Sequence, residues 1–172
     1  MLIPKKTHGE GNCAFHAIFG IWTGEEFFCT TAQEERQQLA NAIGQATSGA
    51  ELRSRIINAI QALIMDLEGQ QGLKTNQEYL LEIARIYGQS IVGLFSDYQK
   101  NVAFDWQQLL LTSGLLQDYA RFLEQPSQHL MEAELALIAE VFGRNRQPSP
   151  CSSLMRLKNS FKITKNLIAY MP

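Results

Sequence analysis

The chain contains few cysteines, no long apolar run and almost no net charge. Its cysteines stand far apart, at Cys13, Cys29 and Cys151, with no CxxC pair, so neither a disulfide framework nor a metal site is predicted. No segment approaches the roughly 18 apolar residues of a membrane span, and the first residues lack the apolar stretch of a signal peptide. A formal net charge of −2 provides no general attraction for nucleic acid. We expect a soluble protein with reduced thiols, no cofactor, no membrane span and no nucleic-acid partner.

Helix start signals and apolar periodicity predict a mostly helical chain. Three capping boxes, at residues 31–34, 48–51 and 75–78, predict helices, the first running through about Gln45 and the third ending at Gly88. The second helix places an apolar face on the core, formed by Leu52, Ile56, Ile57, Ile60, Leu63, Ile64 and Leu67.

The second half of the chain continues this pattern. Asp105 is expected to cap a helix over residues 106–123, and a further helix is expected over residues 127–143. Residues 90–95 are compatible with a strand or a helix, and the clearest strand signal lies in residues 160–171. Basic residues without Asp or Glu follow residue 143, which favours a solvated tail over a site for an anionic partner. The expected fold class is α+β, mostly helical.

The stretch THGEGNCAFHAIFG, residues 7–20, places Cys13 between a glycine-punctuated loop and an apolar run. The start of a helix favours negative charge and therefore the thiolate form of a cysteine. Backbone N–H groups of Glu10, Gly11, Asn12 and Cys13 can converge on one point, as an oxyanion hole requires. These features predict an acyl-transfer site, although the local residues equally permit a small buried cysteine beside a turn.

Two motifs resemble the OTU (ovarian tumour) family of cysteine proteases. GEGNCAFHAIFG is similar to the family's nucleophile motif, D-G-N-C-L-F-R/H-A, at Gly11, Asn12, Cys13, Phe15, His16 and Ala17. SQHLMEAELALIAEVFG resembles a core helix of the family at Glu134, Leu135, Leu137 and Ala139. The long helical segment between the motifs is similar to the Lot-type OTU effectors that intracellular bacteria inject into host cells.

The resemblance implies one OTU-like domain over residues 1–172, with an incomplete papain-type protease core. A helical arm over residues 31–123 would be inserted between the Cys13 helix and the core helix at 127–143. The implied function is that of a deubiquitinase, a cysteine isopeptidase that removes ubiquitin from proteins or cleaves polyubiquitin through a thioester on Cys13. Glu10, Gly11 and Asn12 would form the oxyanion loop, with Glu10 replacing the family's usual Asp, and His16 would have a supporting role. The implied location is the cytosol, reached in a host cell after bacterial secretion.

The resemblance leaves the general base unassigned. In the family this base is a histidine near the carboxyl end, whereas this chain has only His8, His16 and His129. Our preferred explanation is truncation relative to the family, with low activity of these 172 residues. Two alternatives stay open: a catalytically impaired module that binds ubiquitin or a host protein, and a helical scaffold in which Cys13 is buried.

Overall fold

The computed structural model describes residues 6–9, 11–46, 49–72, 74–126 and 128–145. Within these ranges the chain forms eight helices and one two-stranded sheet. In chain order they are α1 (Cys13–Phe19), β1 (Ile21–Trp22), β2 (Phe27–Phe28), α2 (Ala32–Gly44), α3 (Ala50–Gln70), α4 (Asn76–Tyr87), α5 (Gln89–Gln99), α6 (Trp106–Thr112), α7 (Leu115–Glu124) and α8 (Glu132–Asn145). The mostly helical prediction is confirmed for this part of the chain. In the same ranges, no helix combines the length and apolar character needed to cross a membrane.

Two of the predicted caps form as expected. At the start of α4, the Thr75 hydroxyl accepts the Glu78 N–H at 3.3 Å, and the Glu78 carboxylate accepts the Thr75 N–H at 3.2 Å. At the start of α6, the Asp105 carboxylate accepts the Gln108 N–H at 3.1 Å. Both caps satisfy N–H groups that have no partner inside the helix.

The cap at the start of α2 differs from the prediction. The helix begins after Thr31 and ends at Gly44, but the Thr31 side chain makes no capping hydrogen bond. Its hydroxyl lies 3.4 Å from the Cys29 sulfur instead. The capping box predicted here is therefore wrong, although the helix is present. For α3, which begins at Ala50, the predicted cap Ser48 lies outside the described residues.

Helix boundaries in the second half also differ in part. Residues 90–95 belong to α5, and the helix expected over residues 106–123 is interrupted at Ser113 and Gly114, which separates α6 from α7. The helix expected from residue 127 begins at Glu132. Its start is fixed by Glu134, whose carboxylate accepts the Met131 N–H at 2.9 Å.

A small sheet follows α1. Strands β1 and β2 pair antiparallel, with Ile21 opposite Phe28 and Trp22 opposite Phe27. Thr7 forms a parallel bridge to Phe27, so the residues before α1 lie alongside β2. Strands of two residues are too short to produce a detectable alternation in the sequence. The strands predicted in residues 160–171 and the basic tail lie outside the described residues.

The described helices share one hydrophobic core. Its members come from α1 through α8 and include Phe15, Leu39, Ile60, Phe95, Leu123 and Leu137. Helix α2 packs extensively on α7, and α3 packs on α8. The predicted apolar face of α3 is confirmed, since Ile56, Ile57, Ile60, Ile64 and Leu67 are buried and Leu52 and Leu63 pack at the edge. Helix α2 also contacts both α1 and α8, so the span 31–123 packs directly on the two motif helices.

Candidate functional site

Cys13 is the first residue of α1, and its side chain is half-buried. The helix is anchored by Phe15, which is fully buried. Before the thiol, Gly11 has a left-handed φ of 78°, a conformation that glycine adopts without steric cost. The Asn12 carbonyl then accepts the His16 N–H at 3.0 Å and begins the helix. Three predicted site residues, Gly11, Asn12 and Cys13, thus form a continuous turn, which we call the Cys13 loop; Glu10 lies outside the described residues.

The Cys13 loop is hydrogen-bonded to Arg36 of α2, whose side chain is fully buried. Its Nε donates to the Asn12 side-chain oxygen at 2.7 Å, and its Nη2 donates to the Gly11 carbonyl at 2.7 Å. The remaining N–H groups reach the end of α7 and its connection to α8. They donate to the carbonyl oxygens of Leu123 in α7 (2.8 Å) and of Gln125 (3.0 Å) and Gln128 (2.9 Å) in the connection. Arg36 therefore joins three parts of the chain: α2, the Cys13 loop and the α7–α8 connection.

Arg36 is a charged side chain that is fully buried, which is unusual for an arginine. All five of these hydrogen-bond acceptors are uncharged oxygens, and within the described residues no carboxylate pairs with the guanidinium. Burial lowers the pKa of Arg36, and the charge of Cys13 opposes this shift. Arginine nevertheless stays protonated in proteins. A permanent positive charge therefore lies beneath the loop that carries Cys13.

His16 lies one turn after Cys13, and its ring is almost completely buried. Its Nδ1 accepts the backbone N–H of Cys29 at 2.9 Å, so this nitrogen carries no proton. The ring also stacks on Phe28, with the centroids 5.2 Å apart and an interplanar angle of 15°. His16 thus connects α1 to β2 and the residue after it. Because Nδ1 is already an acceptor for a backbone amide, it is not available to take a proton from Cys13.

His8 pairs with a carboxylate that the sequence did not indicate. Its Nδ1 lies 2.7 Å from Oε1 of Glu26, and both side chains are half-buried. Its ring contacts the rings of His16 and Phe28 edge-on, each at 5.2 Å between centroids. A carboxylate beside a histidine fixes the orientation of its ring. The third histidine, His129, is exposed and precedes α8.

The two described cysteines differ in exposure. Cys29 is 8% exposed, with its sulfur beside the Thr31 hydroxyl, whereas Cys13 is more accessible. Cys151 lies outside the described residues. Accessibility is a requirement for thiol reactivity, and of the described pair Cys13 meets it better.

No protein-family model, curated protein or solved structure matches the chain. The OTU assignment therefore depends on the two sequence motifs, and it stays a hypothesis.

The second motif supplies a structural carboxylate. Glu134 is 5% exposed, and it accepts the Tyr119 hydroxyl at 2.6 Å in addition to the Met131 N–H. Burial raises the pKa of Tyr119 well above its ordinary value, and the charge of Glu134 adds to this effect. Glu134 thus binds α8 to α7, next to the connection that Arg36 holds.

Sequence reasoning missed Arg36, although the sequence contains a signal for it. The buried face of α2 is formed by Ala32, Arg36, Leu39, Ala40 and Ile43, which follow helical spacing. Arg36 is the charged member of an otherwise apolar face. A charge at a core position requires partners, and that requirement marks it as a residue with a specific role.

Proposed function

We propose that the chain is an OTU-type cysteine isopeptidase that removes ubiquitin from proteins or cleaves polyubiquitin. The observation that supports this most is the accessible Cys13 at the start of a buried helix, in a glycine-containing loop held over a buried guanidinium. The family motifs at residues 7–20 and 127–143 supply the substrate class. Action in the cytosol of a host cell, after secretion by a bacterium, is part of the proposal and depends on the Lot-type resemblance.

The proposed reaction proceeds through a covalent intermediate. The Cys13 thiolate attacks the carbonyl carbon of the isopeptide bond, and the carbonyl oxygen becomes an oxyanion. Collapse of this intermediate breaks the C–N bond, and the lysine amine leaves with a proton. The ubiquitin carboxyl terminus is then a thioester on Cys13, which water hydrolyses to a free carboxylate and the restored thiol. The groups that exchange these protons are not assigned by the motifs.

The orientation of the Cys13 loop favours an oxyanion site. Since the Gly11 carbonyl accepts a bond from Arg36, the N–H of Asn12, on the opposite side of the same trans peptide, points away from the guanidinium. The Asn12 side chain is bonded to Arg36 and makes no capping bond to α1. Its oxygen therefore does not occupy the N–H groups of the first turn. These groups can serve an incoming oxyanion, in line with the proposed roles of Gly11 and Asn12; the role of Glu10 comes from the resemblance alone.

A catalytically impaired binding module is the second candidate. The histidine nearest to Cys13 in sequence, His16, uses Nδ1 for a backbone amide, so this nitrogen cannot act as the base. Directly after α1, the side chains of Ile21 and Trp22 are 67% and 39% exposed. Exposed apolar side chains of this kind suit contact with another protein.

Covalent labelling of Cys13 by a ubiquitin probe with a carboxyl-terminal electrophile distinguishes the isopeptidase from the binding module. We expect the wild-type chain to gain the mass of one ubiquitin, the Cys13→Ala variant to gain none, and the matched Cys29→Ala variant to behave like the wild type. A folded wild-type chain that gains no ubiquitin would contradict the isopeptidase. Ubiquitin binding that survives in Cys13→Ala, measured by NMR titration, would then identify the binding module.

A further inference from the structure

We propose that Arg36 is the positioning residue of the Cys13 nucleophile. It holds the Cys13 loop in its catalytic shape, and its buried positive charge favours the thiolate. This inference rests on the proposed function, because it gives Arg36 a role in the chemistry of Cys13.

The guanidinium of Arg36 connects the Cys13 loop to distant residues. Arg36 makes two bonds to the Cys13 loop, one to the last turn of α7 and two to the connection between α7 and α8. Only arginine presents five N–H donors in one rigid plane. The guanidinium carbon also lies 5.3 Å from the ring centroid of Phe15, the anchor of α1. The position of the loop is thus set from a distant part of the chain.

Among the described residues, no carboxylate is hydrogen-bonded to the Arg36 guanidinium. A buried cation is costly unless an anion pairs with it, yet within the described ranges the hydrogen-bond acceptors of Arg36 are all uncharged. The thiolate of Cys13 is an anion that interacts favourably with this charge. An opposite charge in a poorly solvated site favours the ionised form of a neighbouring group.

Other titratable groups surround the loop. On α1 there is His16, and against its ring lies His8, paired with Glu26. Neither histidine donates to or accepts from Arg36 in the described structure. Because all three residues are unchanged in the variants below, their contribution is the same in each measurement.

The test compares alkylation of Cys13 by iodoacetamide at about pH 7 and at about pH 9.5, where an ordinary thiol is mostly ionised. The ratio of the two rate constants reports how far the Cys13 thiol is ionised at neutral pH. Differences between variants in the access of iodoacetamide to Cys13 cancel in this ratio. Two variants, Arg36→Met and Arg36→Gln, remove the positive charge. Arg36→Gln keeps one hydrogen-bond donor, so that it can be measured if Arg36→Met does not fold. Arg36→Lys keeps the charge without the fork. Tyr119→Phe removes a buried hydrogen bond outside the Cys13 loop and controls for general loosening.

We expect the ratio of high-pH to neutral-pH rate constants to rise about tenfold in the neutral variants. It should change by less than about twofold in Arg36→Lys and Tyr119→Phe. An unchanged ratio in a folded neutral variant would overturn the electrostatic role. An equal rise in Tyr119→Phe would also overturn it, because loosening alone would then explain the effect.

The same proteins distinguish this inference from the proposed function. If wild type is captured by the ubiquitin electrophile but the ratio does not respond to Arg36, the positioning role is wrong and the isopeptidase stands. If the ratio responds to Arg36 but wild type is never captured, Arg36 controls the ionisation of Cys13 and the isopeptidase is wrong.

Discussion

Replacing Gly88 with alanine tests the junction between α4 and α5. Gly88 has φ 94° and ψ 170°, a region that is accessible essentially to glycine alone. A Cβ built there would lie 2.4 Å from Cγ of Asp118 and 2.6 and 2.7 Å from its carboxylate oxygens. This carboxylate accepts the Ser90 N–H at 2.8 Å in the first turn of α5. The substitution therefore strains the backbone and displaces the group that caps the next helix.

Two costs contribute to the expected loss of stability. The backbone conformation costs a non-glycine residue about 1 to 3 kcal/mol. Loss of a hydrogen bond to a charged acceptor costs about 1.5 to 3 kcal/mol. Together they predict that Gly88→Ala lowers the free energy of unfolding by about 2.5 to 6 kcal/mol. For a domain of this size, that corresponds to a fall in Tm of roughly 5 to 24 °C.

Thermal and urea unfolding, followed by the helical circular dichroism signal, measure this loss. Gly93→Ala is the matched control, because Gly93 lies in α5 with nothing within 4 Å of an added Cβ. It should raise stability by about 0.5 to 1 kcal/mol, since alanine favours a helix over glycine. Gly88→Ala with wild-type stability, or an equal loss in Gly93→Ala, would refute the reasoning.

Three further outcomes are expected. At limiting iodoacetamide, mass spectrometry should find Cys13 labelled before Cys29 and Cys151, and preferential labelling of Cys29 would contradict its burial. Tyr119→Phe should cost about 1.5 to 3 kcal/mol at neutral pH by leaving the Glu134 carboxylate short of a donor. Folding raises the pKa of Tyr119. The contribution of Tyr119 to the free energy of unfolding is therefore complete below pH ~10 and falls as the pH rises further. Above that pH, the urea midpoint of the wild type should decrease more than that of Tyr119→Phe. Di-ubiquitin turnover should be absent or about 10²- to 10⁴-fold below that of an enzyme with a placed base; ordinary turnover that is lost in His8→Ala would instead assign the base to His8.

The part of the fold that the sequence predicts is the part governed by local interactions. The Thr75 and Asp105 caps bond residues three positions away, and the apolar face of α3 repeats at helical spacing. The interruption between α6 and α7 was missed, because WQQLLLTSGLLQDYARFL continues an apolar pattern across Gly114. The hairpin was missed because each strand has two residues and depends on pairing with residues before α1.

In the candidate site, too, local features could be predicted from the sequence and long-range contacts could not. The place of Cys13 at a helix start follows from its neighbours in sequence, and the structure has it there. The bonds from Arg36 to the end of α7 and the α7–α8 connection join residues 87 to 92 positions apart, and His8 contacts Glu26 across the hairpin. Contacts of this range are set by tertiary packing and leave no local pattern.

Formation of a ubiquitin thioester on Cys13 is the measurement that tests the central claim most directly. The folded chain is mixed with ubiquitin activated as a carboxyl-terminal alkyl thioester, whose leaving group needs no proton, and the reaction is stopped with acid before intact mass analysis. We predict an adduct of one ubiquitin on Cys13 that hydroxylamine removes, present in Cys29→Ala and absent from Cys13→Ala. No adduct on the folded chain, or an adduct that persists in Cys13→Ala, would contradict the account.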